Sequence, residues 1–161
     1  MRACPAFAGT LAVAISTACA PTRDSAADQD ALRRADSVYS VGMRTLDVPG
    51  LTALYAADVA IYPPNEATIS GLDAARQYAM AFAAVPGLSM APRLETLVVS
   101  QSGDVGYTVN VIDIATKDSL GNPATDRVRD VHFWRKDASG EWRIAHDIWN
   151  SERPLAAPAK P

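Results

Sequence analysis

The fold turns on one stretch: Arg127-Val128-Arg129-Asp130-Val131-His132-Phe133-Trp134-Arg135-Lys136, then Asp137-Ala138-Ser139-Gly140, then Trp142-Arg143-Ile144-Ala145-His146-Asp147-Ile148-Trp149-Asn150. Apolar and polar residues alternate on both sides of a turn-forming cluster, the pattern of two half-buried strands in a hairpin. A loop of two or four residues pairs an even-numbered residue with an odd-numbered one, and parity then assigns the faces. One face is expected to carry Asp130, His132, Trp134, Ala145, Asp147 and Trp149. The other carries Val131, Phe133, Trp142, Ile144, His146 and Ile148. A loop of three or five residues would break this assignment.

Working outward, Arg93–Ser100 and Val105–Thr116 read as two further strands, so the C-terminal half is an antiparallel meander. The N-terminal half is helical. Leu32, Ala35, Tyr39, Gly42, Met43 and Leu46 recur at helical spacing across Asp28–Thr45 and put Tyr39 on the buried stripe. A short second helix is expected after Pro49-Gly50, through Leu51, Leu54 and Tyr55, followed by a brief strand Val59–Tyr62 stopped by Pro63-Pro64. Ser70 with Asp73 makes a capping-box-like start to a third helix, whose inner face is Leu72, Ala75, Ala79 and Phe82 and whose end is Pro86-Gly87. Helices first and strands later predict an α+β domain with helices packed on one face of the sheet.

The chain has 161 residues, 48% hydrophobic and 20% charged, with net charge −3. That is one globular domain with no electrostatic footprint for nucleic acid. Its ends differ from its body. Met1-Arg2 followed by the apolar run Ala3–Ala18 has the layout of an export signal. Ser16-Thr17-Ala18-Cys19 resembles the bacterial lipoprotein box, which implies cleavage after residue 18 and lipidation of Cys19; cleavage after Ala18-Cys19-Ala20 is the alternative. The expected organisation is a signal peptide over 1–18, a lipidated cysteine and tether over 19–27, the domain over 28–152 and a loose tail over 153–161. The expected address is the bacterial cell envelope, with the membrane contacted through the anchor alone. The two cysteines, Cys4 and Cys19, both precede the globular region, so no disulfide or thiolate metal site is expected.

Several pieces in this order resemble a known family: Leu54-Tyr55-Ala56-Ala57-Asp58-Val59-Ala60-Ile61-Tyr62-Pro63-Pro64-Asn65, then Ile69-Ser70-Gly71, Gly103-Asp104-Val105-Gly106-Tyr107-Thr108, Trp134-Arg135-Lys136, Gly140-Glu141-Trp142-Arg143-Ile144 and Asp147-Ile148-Trp149-Asn150. Together they are similar to SnoaL-like proteins of the nuclear-transport-factor-2-like superfamily, over about Asp28–Ser151. The resemblance implies a cone: a curved antiparallel sheet wrapped over three helices, enclosing an apolar pocket, commonly in a homodimer. Ketosteroid isomerases, polyketide cyclases, dehydratases and non-catalytic association modules share it, so fold does not fix function. Against the isomerases, Tyr39 falls at the oxyanion-hole tyrosine and His132 at the second donor. Pro63 falls at the general base and cannot move a proton, which argues against faithful ketosteroid isomerisation.

Within this frame Tyr39, His132 and Asp147 are the candidate catalytic residues. Asp147 is expected opposite or diagonal to His132, near enough for an acid–base pair. The other reading is a core tyrosine beside a structural His–Asp pair. Trp134 and Trp149 are candidate ligand walls, with Asn150, Tyr62 and Tyr107 as further candidate contacts; the register of Tyr107, Asn110 and Asp113 stays open. His146 is expected on the opposite face, at the surface or a dimer interface, and Asp104 in a hairpin turn. Two histidines without metal spacing, no phosphate loop, no dinucleotide fingerprint and no Gly-x-Ser-x-Gly elbow leave cofactor-free chemistry or plain binding, with no metal expected. Three functions follow: a binder of a small apolar or cyclic molecule, a cofactor-independent isomerase, cyclase or dehydratase, or a dimerisation module.

Overall fold

The structure, a computed structural model, describes residues 25–154. The expected signal peptide, Cys19, the tether up to residue 24 and the tail from residue 155 lie outside the described residues. Helix α1 spans Ser25–Thr45, α2 Val48–Ala53 and α3 Leu72–Ala83; strands are β1 Tyr55–Tyr62, β2 Ile69–Ser70, β3 Ser89–Val99, β4 Val105–Lys117, β5 Pro123–Lys136 and β6 Trp142–Ser151. They form one curved, unclosed six-stranded sheet in the order β2-β1-β6-β5-β4-β3, with the helices packed against its concave side. Among the described residues no helix is long and apolar enough to cross a membrane.

The α+β reading and the β3-to-β6 meander hold. Five local expectations do not. Helix α1 begins at Ser25, inside the expected tether, with Asp28 in its first turn, where a carboxylate suits the positive end of the helix dipole. Helix α2 includes Pro49-Gly50 rather than following them, because proline is tolerated in a first turn and the Asp47 carboxylate accepts from the Gly50 N–H at 3.1 Å. Tyr55 opens β1 instead of closing α2. Ser70 pairs with Ala60 in β2, so Gly71, at φ 85°, occupies the cap of α3 without a side-chain hydrogen bond. Finally, β1 lies parallel to β6, so the sheet is mixed.

The decisive hairpin departs from simple parity twice, and the departures cancel. Lys136 pairs with Trp142, so five residues, Asp137–Glu141, make the loop. Trp142 and Ile144 therefore face inward with Trp134, contrary to the expected face, and all three are buried in one cluster with Leu32, Val59 and Ile61. The register then shifts between Phe133 and Trp134, leaving Ala145 without a partner as a bulge. Past it, His132 pairs with Asp147 and Asp130 with Trp149. The polar face from residue 146 onward thus lies where parity put it. Helix α1 approaches the sheet closely because Gly106 lacks a Cβ, which would sit 2.9 Å from Leu32 Cδ2 and 2.6 Å from the Val98 carbonyl oxygen.

Candidate functional site

Strands β5 and β6 aim Asp130, His132 and Asp147 at the concave side, and α1 and β1 bring Tyr39 and Tyr55 to the same point. His132 Nε2 stands 3.1 Å from Asp130 Oδ2 and 3.9 Å from Asp147 Oδ2, charge contacts without the alignment of a hydrogen bond. The Tyr39 hydroxyl donates to Asp130 Oδ2 at 3.3 Å, and the Tyr55 hydroxyl to Asp147 Oδ2 at 2.9 Å. The Tyr39 ring meets the imidazole edge-on, with centroids 4.3 Å apart. Asp36, one turn before Tyr39, is also buried and accepts from Asn110 Nδ2 at 2.8 Å.

These groups floor an apolar cavity that opens to solvent, about 670 Å³ with its open mouth counted. Met43, Leu51, Met90 and Ile112 wall it, while Tyr78, Phe82 and Trp149 add aromatic faces; among the described residues no lysine or arginine lines it. His132 does not line the cavity but stands behind the two carboxylates.

Burial and mutual charge set the proton affinities. Burial pushes the His132 imidazole down, but the charges of Asp130, Asp147 and Asp36 outweigh it and hold the group up at about 9. It is an imidazolium at neutral pH. Burial raises the Asp147 carboxyl, the charge of Asp130 raises it further, and His132 and the Tyr55 hydrogen bond only partly oppose them, leaving it at about 7. Both floor phenols are pushed well above their ordinary value, by burial first and then by the carboxylates. They act as hydroxyl donors, not as phenolates.

The structure brings together three of the residues singled out from sequence, Tyr39, His132 and Asp147, and places Trp149 in the cavity wall. It adds two that were not singled out. Asp130 is nearer the imidazole than Asp147 is; its signal was present, two residues before His132 on the same strand face. Tyr55 gave no signal, because Tyr55-Ala56-Ala57-Asp58 lacks strand alternation.

The remaining candidate contacts lie elsewhere. Trp134 is buried beside the site but does not line the cavity; its indole N–H donates to Thr108 Oγ1 at 3.0 Å and its face meets the His132 ring. Tyr62 lies on the outer side, its hydroxyl 3.4 Å from His146 Nδ1. Tyr107 pairs with Phe133 and lies tilted against its ring on that side, with centroids 6.4 Å apart. Asn150 is exposed opposite Arg129. Two-residue alternation decides all three, since each is out of phase with its inward neighbours. Asn110 points inward and Asp113 outward to Arg127, while Asp104 accepts from Ser100 and Ser102 in its turn.

One ligand atom each from Asp130, His132 and Asp147 can lie within 4.8 Å of the others, a spacing that could hold a cation and that the sequence did not suggest. Any ion held there would have to displace the proton that the neighbouring carboxylates keep on the imidazole. His132 Nδ1 also has no partner among the described residues to orient the ring as a ligand.

No family model matches the chain, and no curated protein matches it. Solved structures do. A ketosteroid isomerase-like protein from Erwinia carotovora atroseptica is 19% identical with a TM-score of 0.71, over 79% of this chain and 98% of that one. A candidate dehydratase of the NTF2-like family from Streptomyces avermitilis is 18% identical at 0.65, over 82% and 99%. An NTF2-like protein from Pseudomonas putida KT2440 is 20% identical at 0.67, over 85% and 99%. At these identities the likeness is one of architecture, and it agrees with the curved sheet and helix-filled concavity described above: the chain has the nuclear-transport-factor-2-like fold.

Proposed function

We propose that the protein is a cofactor-independent acid–base enzyme of the isomerase, cyclase or dehydratase class, acting by elimination of water from a small apolar or cyclic molecule. We further propose that it is exported, held at the envelope through Cys19, and paired as a homodimer through the outer face of its sheet. The observation that carries the catalytic reading is a pair of buried carboxylates around one imidazole at the floor of an otherwise apolar cavity. A pocket that only bound a hydrocarbon would gain nothing from burying such groups, which costs several kcal/mol per ion before pairing (order of magnitude). The similarity to a candidate dehydratase and to an isomerase-like protein supports the same class.

Elimination needs one acid and one base at a time. Asp130, the closer partner of the imidazolium, is the anion of the pair; Asp147 carries the proton at and below neutrality. Asp130 takes the proton from the carbon beside an activating carbonyl, while Asp147 delivers its own to the departing hydroxyl. The C–H and C–O bonds break, the C=C bond forms, and water leaves. Transfer of the proton from Asp130 to Asp147 restores the starting state. His132 stabilises the negative charge of the pair, and Tyr39 and Tyr55 hold the carboxylates in place.

The test is conversion of 3-hydroxycyclohexanone to the conjugated enone, followed by ultraviolet absorbance. Wild-type protein should accelerate it, with a fall in rate as pH rises through about 7. Asp147→Asn should lower the rate by about 10²–10⁴-fold. No enone above the buffer rate, or an unchanged rate in the variant, would refute the reading.

A further inference from the structure

Leu46 stands where a glycine is the ordinary residue. Helix α1 ends in a Schellman turn, in which the Asp47 N–H donates to the Gly42 carbonyl at 2.9 Å and the Leu46 N–H to the Met43 carbonyl at 3.4 Å. The turn puts Leu46 in left-handed backbone, at φ 55°. Glycine enters that region freely, whereas the Cβ of any other residue crowds the carbonyl oxygen that follows it. Among the described residues the other positive-φ positions are held by five glycines and by Asn65, types that tolerate such backbone. A branched apolar side chain kept against this preference needs a compensating gain.

Full burial is not that gain, because Leu46 is only half-buried at the edge of the cluster of Met90, Ile112 and Val128. It does line the cavity. The lining residues sort by depth: Leu51, Tyr55 and Ile112 are buried, while Leu46, Phe82 and Trp149 keep part of their exposure and so stand at the mouth. Phe82 of α3 and Trp149 of β6 meet edge to face there, with ring centroids 6.1 Å apart. Leu46 adds an aliphatic surface from the turn between α1 and α2.

We propose that Leu46 is a ligand-contacting residue that closes the mouth over a ring-shaped molecule lying against Phe82 and Trp149, and that its left-handed backbone is kept for this contact rather than for the fold. The proposal rests on the reading above only in taking the cavity as the seat of a small apolar or cyclic molecule. Apolar area at the mouth leaves water when the ligand enters, so the side chain strengthens binding without touching the proton-transferring groups.

The test removes the side chain in two ways, Leu46→Gly and Leu46→Ala, in the full chain, and measures 2-tetralone binding by titration calorimetry at pH 7 beside urea unfolding. Both variants should bind 2-tetralone at least about fivefold more weakly than wild type. Leu46→Gly should have a higher urea midpoint than Leu46→Ala at the same slope, the reverse of their order inside a helix. Leu46→Met, which keeps an apolar side chain on the same backbone, should bind within about twofold of wild type. Wild type that does not bind 2-tetralone, unchanged binding in the Gly and Ala variants, or an Ala variant as stable as the Gly variant would overturn the proposal. The catalytic reading fails separately: 2-tetralone binding that depends on Leu46 without enone formation removes the chemistry and leaves this assignment, while enone formation with binding indifferent to Leu46 does the reverse.

Discussion

Asp147 is stabilised as a neutral carboxyl, and that fixes the direction of its effect on stability. Its carboxyl is raised from 3.8 to about 7, so the folded protein binds a proton that the unfolded chain releases, and stability falls as pH rises across that window. His132 is raised from 6.5 to about 9; its contribution is complete below 6.5 and is lost as pH climbs through 9. The part of the melting temperature that these two groups govern should therefore decline from about pH 4 to about pH 9. Asp147→Asn removes the first part of that decline. Its melting temperature should exceed wild type by about 5 °C at pH 8 and match it near pH 4, checked by differential scanning calorimetry. The same substitution slows the proposed chemistry, the usual opposition between a stable floor and a reactive one. Tyr39 and His132 were legible as site residues because periodicity and parity put each on the inner face. Their roles were not, since whether a phenol faces a ligand or a carboxylate depends on a strand more than ninety residues away.

Among the elements, β4 is held close to both β3 and α1 at Gly106. Gly106 is not required for its dihedrals but for space: a Cβ would lie 2.6 Å from the Val98 carbonyl oxygen on the neighbouring strand, and backbone cannot swing aside. Gly106→Ala should destabilise the domain by about 2 kcal/mol, seen as a lower urea midpoint with an unchanged slope. The β5–β6 hairpin shows how far pattern reading reaches. Alternation found both strands and the inward carboxylates, but the loop holds five residues and Ala145 bulges, so Trp142 and Ile144 swap faces. Neither feature has a sequence signature of its own. The bulge is selected by the need to bury Ile144 and Asp147 on one side of a strand although they are three residues apart. The extended β1 was missed for a related reason: its first half, Tyr55–Asp58, has no alternation and meets β6 only at Tyr55, ahead of a register shift.

Over the whole molecule, the concave side of the sheet is filled by helices and the convex side is left open. Phe133, Ile148 and Tyr62 are 44%, 40% and 37% exposed there, clustered with His146 and Tyr107. A contiguous apolar patch of this kind marks an association surface, and in the proposed homodimer a second copy covers it. Light scattering after size exclusion should give twice the chain mass, and Phe133→Glu should give a monomer that is still folded, checked by an unchanged circular-dichroism spectrum. A monomeric wild type at micromolar concentration would remove the dimer and leave the pocket chemistry untouched.

What the sequence determined by itself was whatever repeats along the chain: helices by their apolar stripe, strands by alternation, and the shared face of Asp130 and His132 by their spacing of two. Local physics suffices there, because the period of a helix or strand is set by backbone geometry. Only the tertiary structure decided the pairing of β1 with β6, the inward turn of Trp142 and Ile144, the removal of Tyr62, Tyr107 and Asn150 to the outer side, and the joining of each phenol to a carboxylate. Those outcomes depend on which distant surfaces bury one another, and burial is a sum over the whole core that no window of sequence contains.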